Sequence, residues 1–199
     1  ELAVVSSSDS AIWSLALGAA VGVGVGSAGG SGASLSIGAS VAWNTIGNTT
    51  ESYIKDSNSI LTGGGNVSVR AADNASIKAL AMAASVSLGV GKGSAGVALS
   101  GGGSVAQNVI ASTGNAFIDN SSLGSETSPV GSVDLDASGT SEILAIVPTV
   151  SMSVAYGGKA GVGAAIGVSV ARNIIGAREN NIVADYTTGS TPDELRTGD

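Results

Sequence analysis

Long tracts of the chain alternate between bulky apolar and very small side chains. From Lys78 to Val90, the even positions after Lys78 are bulky and apolar except Ala84, while the odd positions are only Ala, Ser or Gly. The tracts that begin at Ile12 and Ile143 repeat this alternation. A strict period of two over a dozen positions is typical of β-strands. The pattern therefore predicts strands with one bulky face and one very small face.

A helix is the alternative for residues 11–30, an uncharged stretch long enough to cross a bilayer. Gly22, Gly24 and Gly26 alternate with valines there. Each glycine costs a helix about 1 kcal/mol relative to alanine, and β-branched valine adds to that cost. Membrane β-strands would require aromatic girdles, and the chain has few aromatic residues. We therefore expect that the chain does not span a membrane.

An internal repeat of about 65 residues organises these tracts. The segments Val41–Ile46, Val105–Ile110 and Val170–Ile175 share the form Val-Ala-x-Asn-x-Ile. A glycine-rich break precedes each of them, and glycine there suits a tight chain reversal. We divide the chain into the end of a truncated repeat (1–11), repeat 1 (12–76), repeat 2 (77–142) and an incomplete repeat 3 (143–199).

The repeat and the strand period together predict an all-β repeat architecture that is β-solenoid-like, with long strands and glycine-rich turns. A stacked antiparallel β-hairpin sandwich is the alternative, because periodicity does not separate the two. A sheet face of Gly, Ala and Ser can approach a neighbouring sheet more closely than the usual ~10 Å. We therefore expect the small face to be the packed face.

Composition removes several classes of function. The chain has no His and no Cys, so it cannot supply a Ser-His-Asp triad, a cysteine nucleophile or the usual zinc and iron–sulfur ligands. No pair of carboxylates recurs beside an aromatic sugar site. We predict that the chain is not an enzyme and has no catalytic residue or cofactor. The net charge of −7 is the wrong sign for binding a phosphate backbone, so we expect no nucleic-acid partner.

Two sets of polar residues are candidates for a structural or metal-binding role. Asn44, Asn108 and Asn173 recur at the repeat step, and we interpret them as structural, because stacked units would align their amides in a ladder. Oxygen-rich loops could hold calcium as a secondary hypothesis, although none matches a standard calcium loop. The weak calcium candidates are Asp56, Asp73, Asp119, Asp134 and Asp136.

Four segments carry a resemblance to a known group of proteins: Ser76–Ala81, Val105–Ile110, Tyr53–Ser57 and Gly64–Asp73. Together they resemble the degenerate repeats of giant bacterial surface and secreted proteins of the filamentous-haemagglutinin-like, adhesin type. The resemblance covers nearly the whole chain. In repeat 3, Pro148 interrupts the first tract. The resemblance implies an extracellular, rod-like β repeat at the bacterial cell surface or in a secreted protein.

Two functions are compatible with this sequence. The first is a stalk or self-associating filament segment, whose exposed β edges pair with neighbouring repeats or chains. The second is a binding module whose loops recognise a host glycan or matrix protein. We favour the first, because the recurring features are packing features and the loops share no recurring recognition side chain.

Overall fold

The computed structural model describes residues 1–58 and 60–176. These residues form nine strands: β1 (Leu2–Gly26), β2 (Gly32–Ile46), β3 (Thr49–Lys55), β4 (Val67–Gly91), β5 (Ala95–Ile110), β6 (Thr113–Asp119), β7 (Val133–Ile146), β8 (Thr149–Gly157) and β9 (Ala160–Ile175). The predicted all-β class is thereby confirmed. None of the described residues belongs to a helix that could cross a membrane.

The strands form three sheets, and every pairing between named strands is parallel. The first sheet has the order β1-β4-β7, with β8 continuing along β4 after β7. The second sheet has the order β2-β5-β9, and the third pairs β3 with β6. Among the described residues, antiparallel pairing is limited to an isolated bridge between Ser125 and Ser128. Antiparallel hairpins, the alternative drawn from the sequence, are therefore not the pairing that builds these sheets.

Each of the strands β1 to β5 pairs with the strand that lies about 65 positions later. Leu2 lies beside Val67, Gly32 beside Gly96, and Thr49 beside Thr113. In-register pairing places like residues side by side, so the apolar alternation of one strand continues in the next. The predicted repeat boundaries after residues 76 and 142 fall inside β4 and β7, because the Val-x-Val segments are the first residues of these long strands.

The first and second sheets pack face to face through their small side chains. Ala81, Ala83, Ser85 and Ser87 on β4 are at most 2% exposed. A Cβ added to Gly22 would lie 2.7 Å from the carbonyl oxygen of Leu35 on the opposite sheet. Side chains of ordinary size would not fit at this separation. The prediction that the small face is the packed face is confirmed.

The chain reverses between these two sheets at glycine-rich turns, as predicted from the breaks. After its reversal, the chain runs along the second sheet and continues into the third sheet, which covers the first half of β1 and β4. Larger residues fill the interior there. Ile54, Val67 and Val69 form one buried cluster, and Ile77 and Ile110 belong to another. The interior is therefore lined by very small residues near the turns and by Val and Ile farther away.

The interruption expected at Pro148 is present. Val147 and Pro148 separate β7 from β8, although both strands keep one register against β4. Pro148 still accepts a hydrogen bond from Ala83 through its carbonyl, at 3.2 Å. The last part of the predicted repeat 3, residues 177–199, lies outside the described residues.

Candidate functional site

The repeated asparagines form a hydrogen-bonded column inside the molecule. In-register pairing of β2, β5 and β9 sets their amides one above another. Asn44 Nδ2 donates to Asn108 Oδ1 at 2.7 Å, and Asn108 Nδ2 donates to Asn173 Oδ1 at 2.9 Å. Asn44 also donates to Ser14 Oγ at 2.8 Å, which links the second sheet to the first. Asn108 is fully buried. The column fixes the register between strands and the alignment of the two sheets.

Other side chains one repeat apart also contact each other. The Tyr53 and Phe117 rings are stacked with centroids 5.1 Å apart. Arg70 donates to Asp134 at 2.7 Å, and both side chains are more than half exposed. This hydrogen bond and the charge of Asp134 raise the pKa of the Arg70 guanidinium above its ordinary value. Because the pair is exposed, its contribution to stability is small.

The five calcium candidates are not brought together. Asp134 pairs with Arg70, and Asp119 lies 3.4 Å from Lys55 Nζ. Asp56 accepts a hydrogen bond from Asn120, while the buried Asp73 accepts one from Thr50 Oγ1 at 3.4 Å. Asp136 lies beside Arg70 on the outer face of the first sheet. Within residues 1–58 and 60–176, no group of three or more acidic side chains is placed to hold a metal ion.

One surface depression is likewise filled by hydrogen bonds between the protein's own side chains. It lies on the outer face of the first sheet, at the row formed by Asp9, Asn74 and Thr140. Asn74 Nδ2 donates to Asp9 Oδ1 at 2.8 Å, and Thr140 donates to Asn74 Oδ1. This row contains carboxylate, amide and hydroxyl groups only. It is a polar ladder rather than a cleft with converging reactive groups.

The free edges of the sheets are the most distinctive polar surfaces of the described chain. Leu2 N donates to Asn66 O at 2.9 Å, so the N–H groups of even-numbered β1 residues point to β4. Successive N–H groups of a strand point to opposite sides. The odd-numbered residues of β1 therefore direct their N–H and C=O groups away from β4, at an edge with no partner among the described residues. Such an edge is a template for adding another strand.

Near the turns, the bulky side chains of the first and second sheets lie on the outer faces. Trp13 is 79% exposed and Ile37 is 67% exposed, on the first and second sheets respectively. The sequence predicts a bulky face on each strand, but the prediction did not say whether that face is buried or exposed to solvent. The available signal was the small face itself: once that face is packed, the bulky residues of the same strands must point outward.

Neither a protein-family model, nor a curated protein, nor a solved structure matches this chain.

Proposed function

We propose that the chain is a structural segment of a large extracellular bacterial protein, in which it acts as a stalk or a self-associating filament scaffold. In this proposal, the coils of about 65 residues form a β-solenoid that lengthens by adding units in register. The location follows from the resemblance to giant adhesin-type surface and secreted proteins. The mechanical role is supported by the contacts at the repeat step, which hold one unit on the next.

The parallel register is the observation that carries the proposal. Strands β1 to β5 each pair with their equivalent one unit later, so the stack has two ends and no built-in stop among the described residues. The β1 edge carries a single charged residue, Asp9, and no proline. Natural edge strands that avoid association are usually protected by prolines, several charges or bulges. This edge lacks those protections.

The two ends also match each other. If β8 and β9 of one copy continue onto β1 and β2 of another, Asn173 comes beside Asn44 and extends the amide column. Arg172 then comes beside Trp43, whose ring is 57% exposed. An arginine over an indole face gives a favourable cation–π contact. Head-to-tail addition therefore extends the amide column across the junction and adds a cation–π contact of the kind that Lys78 makes with Trp13 inside the chain.

The experiment is electron microscopy and sedimentation velocity of the 199-residue chain over a range of concentrations. We expect rods whose mean length increases with concentration. Ala19→Pro should block growth, because residue 19 directs its N–H to the free edge, where proline removes the donor without breaking a bond to β4. Ala19→Thr is the matched control, since it keeps the N–H group and favours a strand.

A chain that stays monomeric at all concentrations, with β circular dichroism intact, would contradict self-association. Equal assembly of the proline and threonine variants would show that association does not use this edge. A saturable signal on a glycan or matrix-protein array from the monomer would instead favour the binding-module function.

A further inference from the structure

Both outer faces of the molecule carry an apolar band, and the band on the first sheet is two residue steps longer than the band on the second. On the first sheet, the band comprises the outward side chains from Leu15 to Val25 and their register partners. On the second sheet, it comprises those from Ala33 to Val41 and their partners. Val21 and Val23 are 77% and 64% exposed. At the rise of a parallel strand, the ten residue steps along β1 span about 33 Å and the eight along β2 about 26 Å.

The band ends at the same level on both faces. Trp13, Lys78 and Leu144 form the boundary row of the first sheet, and Trp43, Gln107 and Arg172 form that of the second. The hydrogen bond from Asn44 to Ser14 places these two rows opposite each other. Lys78 Nζ lies 5.2 Å from the centroid of the Trp13 ring. Beyond the rows, the outer face of the first sheet becomes polar, with Asp9 and Arg70 as its charged residues nearest the boundary on β1 and β4.

The segments that contain the band also differ from the rest of the chain in the sign of their charged residues. Residues 11–46, 77–111 and 143–176 contain no Asp or Glu, and their charged residues are all cations: Lys78, Lys92, Lys159 and Arg172. Lys78 and Arg172 stand in the boundary rows, while Lys92 and Lys159 stand at the turns beyond the other end of the band. An apolar band, a boundary row with a tryptophan, and flanking cations are thus present on both sides of the molecule.

We propose that this band lies in the hydrocarbon layer of a lipid bilayer that contains anionic lipid. Its length, about 33 Å on the first sheet and about 26 Å on the second, is close to a hydrocarbon core of about 30 Å. Tryptophan is enriched at the membrane interface, and lysine and arginine there contact anionic headgroups. This differs from the expectation, drawn from the sequence, that the chain does not span a membrane, because that expectation did not include two tryptophans aligned at one level.

A second copy is a poorer occupant of these faces. Three strands about 4.8 Å apart and 33 Å long present roughly 480 Å² per face of one chain. Two such faces of single chains together bury about 950 Å², below the 1,200–2,000 Å² of specific interfaces. In a rod this area grows with each added copy, so the preference for lipid rests on the tryptophan rows and the cations that flank the band. One partner would also leave the opposite face exposed. Lipid covers both faces at once.

The proposal rests on the proposed self-association at the sheet edges. Unpaired backbone N–H and C=O groups are very unfavourable in hydrocarbon. The free edges of β1 and β2 must therefore be paired with another copy before the band enters a bilayer. Rods and lipid binding are measured separately, so that failure of one is distinguishable from failure of the other.

The first test is flotation of the assembled chain with vesicles of phosphatidylcholine and phosphatidylglycerol. We expect it to float with the vesicles. Val23→Asp combined with Ile37→Asp places one carboxylate in each band and should lower binding about tenfold or more. Ser7→Asp is the matched control, because residue 7 points outward from β1 beyond the band, and it should float like the unaltered chain. All substituted side chains are exposed, so rods should persist in each variant.

The second test uses Trp13 and Trp43, the two tryptophans of the chain. Lipids brominated near the headgroup should quench their fluorescence more than lipids brominated deep in the acyl chain. In a Trp13→Phe, Trp43→Phe background, Val21→Trp should reverse that order.

Rods that do not float, or quenching independent of depth, would overturn the proposal while leaving self-association intact. Absence of rods would refute self-association itself. Clustering of rods without lipid that Val23→Asp abolishes, with no flotation, would assign the faces to a second copy instead.

Discussion

Ala81 and Ala84 lie three residues apart on β4, but their side chains point to opposite faces. Ala81 is fully buried between the first and second sheets, whereas Ala84 lies on the exposed face in a row with Ala19 and Val150. Ala81→Leu should lower the free energy of unfolding by about 1–3 kcal/mol through overpacking. Ala84→Leu should leave it nearly unchanged. Denaturant unfolding of both variants measures the difference, and equal effects would contradict close packing of the sheets.

Asn108 provides a second comparison at the same scale. Its amide both accepts from Asn44 and donates to Asn173. Asn108→Ala removes one of the two hydrogen bonds that the buried Asn44 amide donates, and also the donor to Asn173 Oδ1, which should cost about 1–3 kcal/mol of unfolding free energy. Gln107→Ala, one residue away on the outer face, is the matched control and should cost little. If the two variants unfold at the same denaturant concentration, the amide column contributes nothing to stability.

At the scale of elements, Pro148 is the one place where a long strand of the first sheet is divided. Leu17 and Met82 occupy the equivalent positions in β1 and β4. The carbonyl of Pro148 accepts from Ala83, so the missing N–H of the proline would have pointed to the same neighbour, β4. Pro148→Met should restore that donor and stabilise the fold by about 0.5–1.5 kcal/mol.

Thermal unfolding measures this effect. Val150→Met, on the outer face of β8, adds the same side chain without adding a backbone donor and should change the melting temperature little. A lower melting temperature for Pro148→Met than for the unaltered chain would show that the break relieves a strain which a continuous strand would restore.

The strands themselves were predictable because each tract has strict alternation, and glycine marks each reversal. Parallel pairing was not, because alternation is the same in parallel and antiparallel strands. The amide column required both the repeat step and the register, and only the step is visible in the sequence. Likewise, Asp119 and Asp134 were grouped as calcium candidates by chemistry alone, whereas the fold pairs them with Lys55 and Arg70.

At the scale of the whole molecule, the stack behaves as a one-dimensional array in which each unit contacts mainly its neighbours. Deleting residues 67–131 joins Asn66 directly to Ser132 and brings β1 beside β7 and β8 in the register that β4 now occupies. The shortened chain should keep a β circular dichroism signal and a cooperative transition, at lower stability. Removing a complete unit preserves both layers of the packing.

Deleting Ala95–Ile110 removes fewer residues but should be more harmful. It takes out β5, the central strand of the second sheet, and uncovers the small face of β4 opposite it. The remaining contacts between Ala and Ser side chains bury too little area to compensate for the lost cover of β4. This variant should therefore lose its cooperative transition. If it melted cooperatively while the deletion of residues 67–131 did not, the stability of the molecule would depend on individual strands rather than on complete stacked units, and lengthening by in-register addition would lose its physical basis.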